Sequence, residues 1–305
     1  KVELKRLAQH VSAEIQDATV VTPSGVAALV LLTHDQRGMT RELFHQRSRF
    51  VRRWLESRSA HFSDAWHFPE DALDEALEMF ASGKQIEILP VTVIKAAKPV
   101  EAVERGEDIL AITQDPRERM VLDYSKNTLL FHFVPAAFLC TALLLGDRDQ
   151  EKLSRVQRRF DFLLDLFQEE FVFHPDLPSS SILGAAGRRL QEQGVITVID
   201  PEAAGLPRSG DPDSSAGQVW LDDAVADGVD VSIRLADWPR AWLFIATIRK
   251  FFEAYWVVLK GAELLRQGPL TEKQLVEATL QVGRRMWLTE DVTRPESASK
   301  ANLQN

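Results

Sequence analysis

PEDALDEALEMFASGKQIEIL (Pro69–Leu89) reads as a helix, a stop and a strand in succession. Pro69 suits a first helical turn, and Glu70 and Asp71 beside it complement the positive end of the helix dipole. Leu73, Ala76, Leu77 and Phe80 recur at helical spacing and line one face. Gly83 is the expected helix stop. From Gln85 the pattern switches to short, β-branched and alternating, which predicts one or two strands over QIEILPVTVIKAA. The same order returns in SSSILGAAGRRLQEQGVITVID (Ser179–Asp200), with Gly194 as the stop and a strand over Val195–Ile199. Two helix–glycine–strand units have the look of winged helices. The fold class they predict is mainly α, a multi-helix domain with a few short β-strands.

The flanking sequence agrees. VVTPSGVAALVLLTH offers Thr22 as an N-cap, Pro23 at the first helical position and an apolar run from Val26 to Leu32. TRELFHQRSRFVRRWLES carries Leu43, Phe50, Val51, Trp54 and Leu55 on one stripe. LLFHFVPAAFLCTALLL (Leu129–Leu145) is the most apolar stretch. At about 17 residues it lies at the lower edge of what spans a bilayer, and His132, Pro135 and Thr141 inside it favour a buried core helix. VQRRFDFLLDLFQEEFVF is amphipathic, VDVSIRL alternates like a strand, and WPRAWLFIATIRKFFEAYWVVLKGAELL reads as one long helix. Thr271 and Gln274 form a capping-box pattern. Residues 201–228, rich in Gly, Pro, Ser and Asp, read as an exposed flexible loop or linker, most mobile over 203–218. No internal repeat is visible. In GAAGRR, Gly184 and Gly187 are expected to allow close helix packing.

Composition narrows the partners. The 305 residues are 45% hydrophobic and 27% charged, enough for a sizeable core without staples. A single cysteine, Cys140, excludes internal disulfides and Cys-based metal sites. The net charge of −9 argues against nucleic acid. Against that background Arg37, Arg41, Arg47, Arg49, Arg52, Arg53 and Arg58 fall close together with only Glu42 and Glu56 between them. Arg41, Arg49, Arg52 and Arg53 are candidates for an anion or membrane contact, weighed against a solvated face paired with nearby acids. His61, Asp64, His67 and Asp71 lie at spacings a metal site could use, although a polar loop capping the next helix explains them as well.

Three blocks carry a resemblance. LDYSKNTLLFHFVPAAFLCTALL (Leu122–Leu144), VVTPSGVAALVLLTHDQRGMTRELFHQR (Val20–Arg47) and the end from FFEAYWVVLKGAELL through TRPESASKANLQN are similar, in order and spacing, to the region after the catalytic domain of bacterial and mitochondrial glycerol-3-phosphate acyltransferases. The resemblance implies a parent enzyme that moves an acyl group from acyl-CoA or acyl-carrier protein to the 1-hydroxyl of glycerol 3-phosphate, in phospholipid synthesis. It implies a peripheral position on the cytoplasmic face of a membrane, the inner membrane in a bacterium. The family's catalytic HxxxxD block is not here: no histidine has Asp five positions on. The expectation is therefore one helical C-terminal domain over 1–305, with no catalytic, cofactor or metal residues, supporting an acyltransferase domain upstream of Lys1. Tyr124, Lys126, Asn127 and His132 are then candidates for the contact with that domain. The competing reading is a winged-helix-like interaction module with no enzymatic role.

Overall fold

A computed structural model describes residues 2–36, 38–90, 92–93, 104–105, 108–147, 150–199 and 219–293. The chain is mainly helical, with short strands gathered in small sheets. It begins with α1 (Val2–Asp17) and then runs through α2 (Pro23–Leu32), α3 (Arg41–Ser57), α4 (Pro69–Ser82) and α5 (Pro116–Asn127). Helices α6 (Val134–Leu144), α7 (Leu153–Leu166), α8 (Ser179–Glu192) and α9 (Leu221–Ala226) follow. The described chain closes with α10 (Trp238–Ala262) and α11 (Glu272–Leu288).

The two helix–stop–strand units belong to a structural duplication that the sequence does not announce. In the first unit β2 (Gly38–Thr40), β4 (Ile86–Leu89) and β7 (Ile109–Ile112) form an antiparallel sheet in the order β2-β7-β4. Two-residue pairings, β1 (Val20–Val21) with β3 (His61–Phe62) and β5 (Thr92–Val93) with β6 (Glu104–Arg105), lie beside it in sequence. In the second unit β8 (Glu151–Lys152), β9 (Ile196–Ile199) and β10 (Ser232–Leu235) repeat that order as β8-β10-β9. The register repeats too: Leu110 pairs with Met39 and Ile88, and Ile233 pairs with Glu151 and Val198. Each unit is thus a winged-helix arrangement, α2-β2-α3-α4-β4-β7 and α6-β8-α7-α8-β9-β10. Each is followed by a further helix capped in the same way. Asp115 accepts from the Arg117 N–H ahead of α5, and Asp237 accepts from the Arg240 N–H ahead of α10, with proline in both first turns.

Position in this duplicated frame explains the most apolar segments. Helices α2 and α6 are apolar all round because each lies at the centre of its unit. Val26–Leu32 and Val134–Leu143 are buried without interruption. The segment 129–145 is not one helix: a 3₁₀ turn, Leu130–His132, precedes α6 and Pro135 sits in its first turn. Eleven residues of α6 reach only about 16 Å, half a bilayer. Among the described residues no helix is long and apolar enough to cross a membrane. The aromatic contacts of Trp54 with Phe133 and Phe244 join α3 to the segment before α6 and to α10, so both units share one core.

Two local expectations change. Gly83 keeps right-handed backbone, and the left-handed turn after α4 falls on Lys84 at φ 66°. In the second unit Gly194 takes that role at φ 68°, as expected. A Cβ at Gly83 would lie 2.1 Å from the amide end of the Gln85 side chain, which would have to turn aside. Within the expected loop 201–228, Val219–Gly228 holds α9, fixed to α8 by Gln191, which donates to the Val219 carbonyl at 2.9 Å and accepts from the Leu221 N–H at 2.6 Å. Gly184 and Gly187 leave room for this contact: added Cβ atoms would lie 3.2 Å from Asp222 Cα and 2.3 Å from Leu221 Cδ2. The stretch 203–218 lies outside the described residues.

Candidate functional site

Where the two units meet, the end of α3, the start of α6, α8 and the segment 171–177 surround a cavity of about 440 Å³, with the last turn of α1 at one side. Its apolar wall comes from Phe131, Pro135, Phe171, Phe173, Leu177 and Ile182. Two guanidinium groups, Arg58 and Arg189, line it as well. Neither makes an ion pair among the described residues. Arg58 Nε donates to His132 Nδ1 at 3.4 Å, while Arg189 donates to the carbonyls of Ser57 at 3.4 Å and Ala185 at 3.0 Å. Burial, followed by the neighbouring charge of Arg189, holds the Arg58 guanidinium down to about 10, and Asp17 only partly offsets this. Arg58 therefore stays protonated at neutral pH, as a desolvated cation beside a second cation.

The histidine behind Arg58 is neutral. Burial, reinforced by the Arg58 charge, lowers His132 to about 3. With Nδ1 accepting, its proton resides on Nε2, which is buried and has no hydrogen-bond partner.

The cavity thus sets two guanidinium groups against a largely apolar wall. Cys140 is fully buried, and its thiol is pushed far above the ordinary range by desolvation. His45 Nε2 lies 3.1 Å from Asp74 Oδ1, but Arg41 shares that carboxylate at 2.7 Å and His45 Nδ1 is buried without a partner. A general base must reach the proton it takes, and this imidazole has no free nitrogen at the surface.

The family model for the glycerol-3-phosphate acyltransferase C-terminal region matches residues 1–305. The chain belongs to this family. No curated protein sequence matches it.

In this acyltransferase C-terminal region the arginines of α3 do not form a free cationic patch. Arg41 pairs with Asp74 and with Asp108 at 3.4 Å, Arg49 with Glu70 at 2.8 Å, and Arg52 with Glu56 at 2.8 Å. Of the four named from sequence, Arg53 alone is exposed and without an ion pair among the described residues. The acids come from α4, from Asp108 beside β7 and from one turn along α3, which sequence order hides. Of the four residues expected to meet another domain, Lys126 and His132 are buried. Lys126 Nζ lies 2.9 Å from Asp123 within the core, whereas Tyr124 is 76% exposed and Asn127 accepts from Lys250 at the surface. His61, Asp64, His67 and Asp71 do not converge as ligands among the described residues, and His67 Nδ1 contacts the Asp64 carbonyl at 2.6 Å. A different trio, His10, His174 and Asp176, does gather. There the Arg6 guanidinium already donates to Asp176, and the group ties α1 to the segment before α8.

Sequence reasoning missed the cavity because its two cations stand 131 positions apart, on different units. Arg58 was visible as one of a crowd of arginines, while Arg189 carried no signal at all.

Proposed function

We propose that this chain is the noncatalytic C-terminal part of a glycerol-3-phosphate 1-O-acyltransferase, and that it docks on and supports the domain that moves an acyl group from acyl-CoA or acyl-carrier protein to glycerol 3-phosphate. One observation carries the reading. On α1, Leu4, Leu7, Val11 and Ile15 are 71%, 59%, 50% and 64% exposed. At about 100° per residue they form a single stripe roughly 80° wide. A different side of the same helix is anchored to the body through Lys5–Glu169, Arg6–Asp176 and His10–Asp176. The helix is thus held in place with an apolar face turned outward, and a partner surface is the ordinary use of such a face. Met120, Val121 and Tyr124, exposed together on α5, supply a second patch.

A membrane-embedded helix is the competing use of the stripe. The polar side of α1 counts against it, because Lys5 and Arg6 are outnumbered by Glu3, Glu14 and Asp17. Work at the cytoplasmic face of a membrane, the inner membrane in a bacterium, then follows from the docked enzyme as a whole.

The test mixes this chain with a separately produced acyltransferase domain of the same enzyme and follows association by sedimentation. Leu7→Glu with Val11→Glu should abolish the complex and leave the circular dichroism of the chain unchanged. Undiminished association of the double variant would sink the docking reading. Glycerol-3-phosphate acylation by the chain alone, lost on changing one of its own histidines to Ala, would sink the noncatalytic one.

A further inference from the structure

The Arg58–Arg189 cavity is built at a cost that the fold does not recover by itself. A guanidinium that loses water is ordinarily matched with a carboxylate, and like charges held together raise the cost further. Here two guanidinium groups face one space, and Asp17 is the only acid among its lining residues. Asp17 forms no ion pair with either arginine among the described residues, although its charge reaches Arg58. The rest of the wall is mostly apolar, with Phe131, Phe171, Phe173, Leu177 and Ile182 around Pro135, and its other polar side chains are Gln16, His174 and Ser181. The volume, about 440 Å³, falls in the range of roughly 300–1,000 Å³ typical of small-molecule pockets. A bare anion would satisfy the guanidinium pair and leave the apolar wall in water. A neutral hydrocarbon would fill the wall and leave the cations unmatched.

We infer that this cavity binds a single-chain acyl amphiphile with an anionic head, the head on Arg58 and Arg189 and the chain along Phe131, Pro135, Phe171, Phe173 and Ile182. The shared chemistry is an acyl chain ending in a carboxylate or a phosphate. Arginine suits either, because its planar fork can donate two parallel hydrogen bonds to one oxyanion. Arg189 comes from α8 of the second unit and Arg58 from the end of α3 in the first, so a bound head would bridge the two units. His174, which also lines the cavity, belongs to the cluster that anchors α1. Occupancy would therefore be felt at the helix that carries the exposed stripe, yet the site itself does not depend on that stripe meeting a partner.

Isothermal titration of the chain Lys1–Asn305, below the micelle threshold of each probe, tests the inference with four compounds. Palmitate and 1-palmitoyl-lysophosphatidate present the two heads, 1-palmitoylglycerol keeps the chain without charge, and glycerol 3-phosphate keeps a head without the chain. At least one of the first two should bind at a single saturable site, about tenfold or more tighter than the latter two. Which of the two binds better identifies the head as carboxylate or phosphate. Arg58→Gln with Arg189→Gln should weaken binding by about tenfold or more. Ala185→Trp, an exposed position at the rim, should block entry while keeping both cations, and it decides the matter if the double arginine variant fails to fold. The inference is overturned if neither acyl anion binds, if 1-palmitoylglycerol binds as tightly as palmitate, or if binding survives Ala185→Trp.

Discussion

Replacing His132 by Asn should make the protein less sensitive to acid. In the folded chain the imidazole is buried beside Arg58 and titrates near 3, against 6.5 for a free histidine. The unfolded chain therefore takes up a proton first as the pH falls, and each proton it binds pulls the equilibrium toward unfolding. Stability is fully present above pH 6.5 and declines below it, at about 1.4 kcal/mol per pH unit, until the folded group also protonates. Between pH 8 and pH 5 the loss from this one group comes to about 2 kcal/mol, and a folded pKa anywhere from about 2 to 4 leaves that figure unchanged. Asn places an acceptor where Nδ1 receives Arg58, and it does not titrate. The Trp54 indole bonds the backbone carbonyl of residue 132 at 3.0 Å, so that contact is kept. Urea unfolding would be followed by tryptophan fluorescence at pH 8, 7, 6 and 5 for both proteins. The wild type should lose about 2 kcal/mol more than His132→Asn across that range. Equal slopes, or a wild type that gains stability on acidification, would refute the neutral buried imidazole.

Three further changes probe the duplicated frame. Lys84→Gly should raise stability by about 0.5–1 kcal/mol in thermal melts, since Lys84 holds a left-handed backbone at φ 66° that glycine adopts without strain; a lower melting temperature would contradict it. Glu151→Met should cost about 2–4 kcal/mol in urea unfolding, even though Met39 is its counterpart in the first unit. Burial pushes the Glu151 carboxyl up, but Arg159 at 2.8 Å and the Asp147 and Lys152 N–H groups more than reverse this, and the substitution takes this acceptor from all three, leaving Arg159 only the Ala142 carbonyl among the described residues. Gly261→Ala should weaken the seating of α11 on α10 by about 1–3 kcal/mol, because the new methyl would lie 2.1 Å from Thr279 Oγ1; a gain in melting temperature, as helix propensity alone would give, argues the opposite.

Much of the fold was legible, because local chemistry wrote it. Thr22 caps α2 by accepting from the Gly25 N–H at 3.1 Å, Thr271 and Gln274 complete their box, and the apolar stripes of α3 and α4 face the core as their spacing required. The duplication was not legible, because what repeats is burial and register while the residues themselves change. Phe44, Ser48, Val51 and Leu55 are buried in α3, and Val156, Phe160, Leu163 and Phe167 are buried 112 positions later. Only the volume carried at each position is redistributed. The strand offset also shifts, from 110 positions for Ile88 and Val198 to 123 for Leu110 and Ile233, because the connections between second and third strands differ in length. A repeat that keeps shape, drops identity and changes spacing leaves no period to find.

The candidate site was hidden for a deeper reason of the same kind. A crowd of arginines on one helix is conspicuous in sequence, yet Arg41, Arg49 and Arg52 find carboxylates on α4, beside β7 and one turn along α3, and their charge is spent locally. Arg58 lies just past the end of that helix, beyond reach of those acids and directed at the second unit. Two features set its environment: the 3₁₀ turn that delays α6 and places Phe131 and His132 at the junction, and α8, which brings Arg189 against the Ser57 carbonyl. Neither belongs to the unit that supplies Arg58. If the two units were separated, the apolar wall and Arg189 would stay with the second unit and Arg58 with the first. The property that distinguishes the site, two cations facing one largely apolar cavity, arises only from the way the duplicated halves are joined.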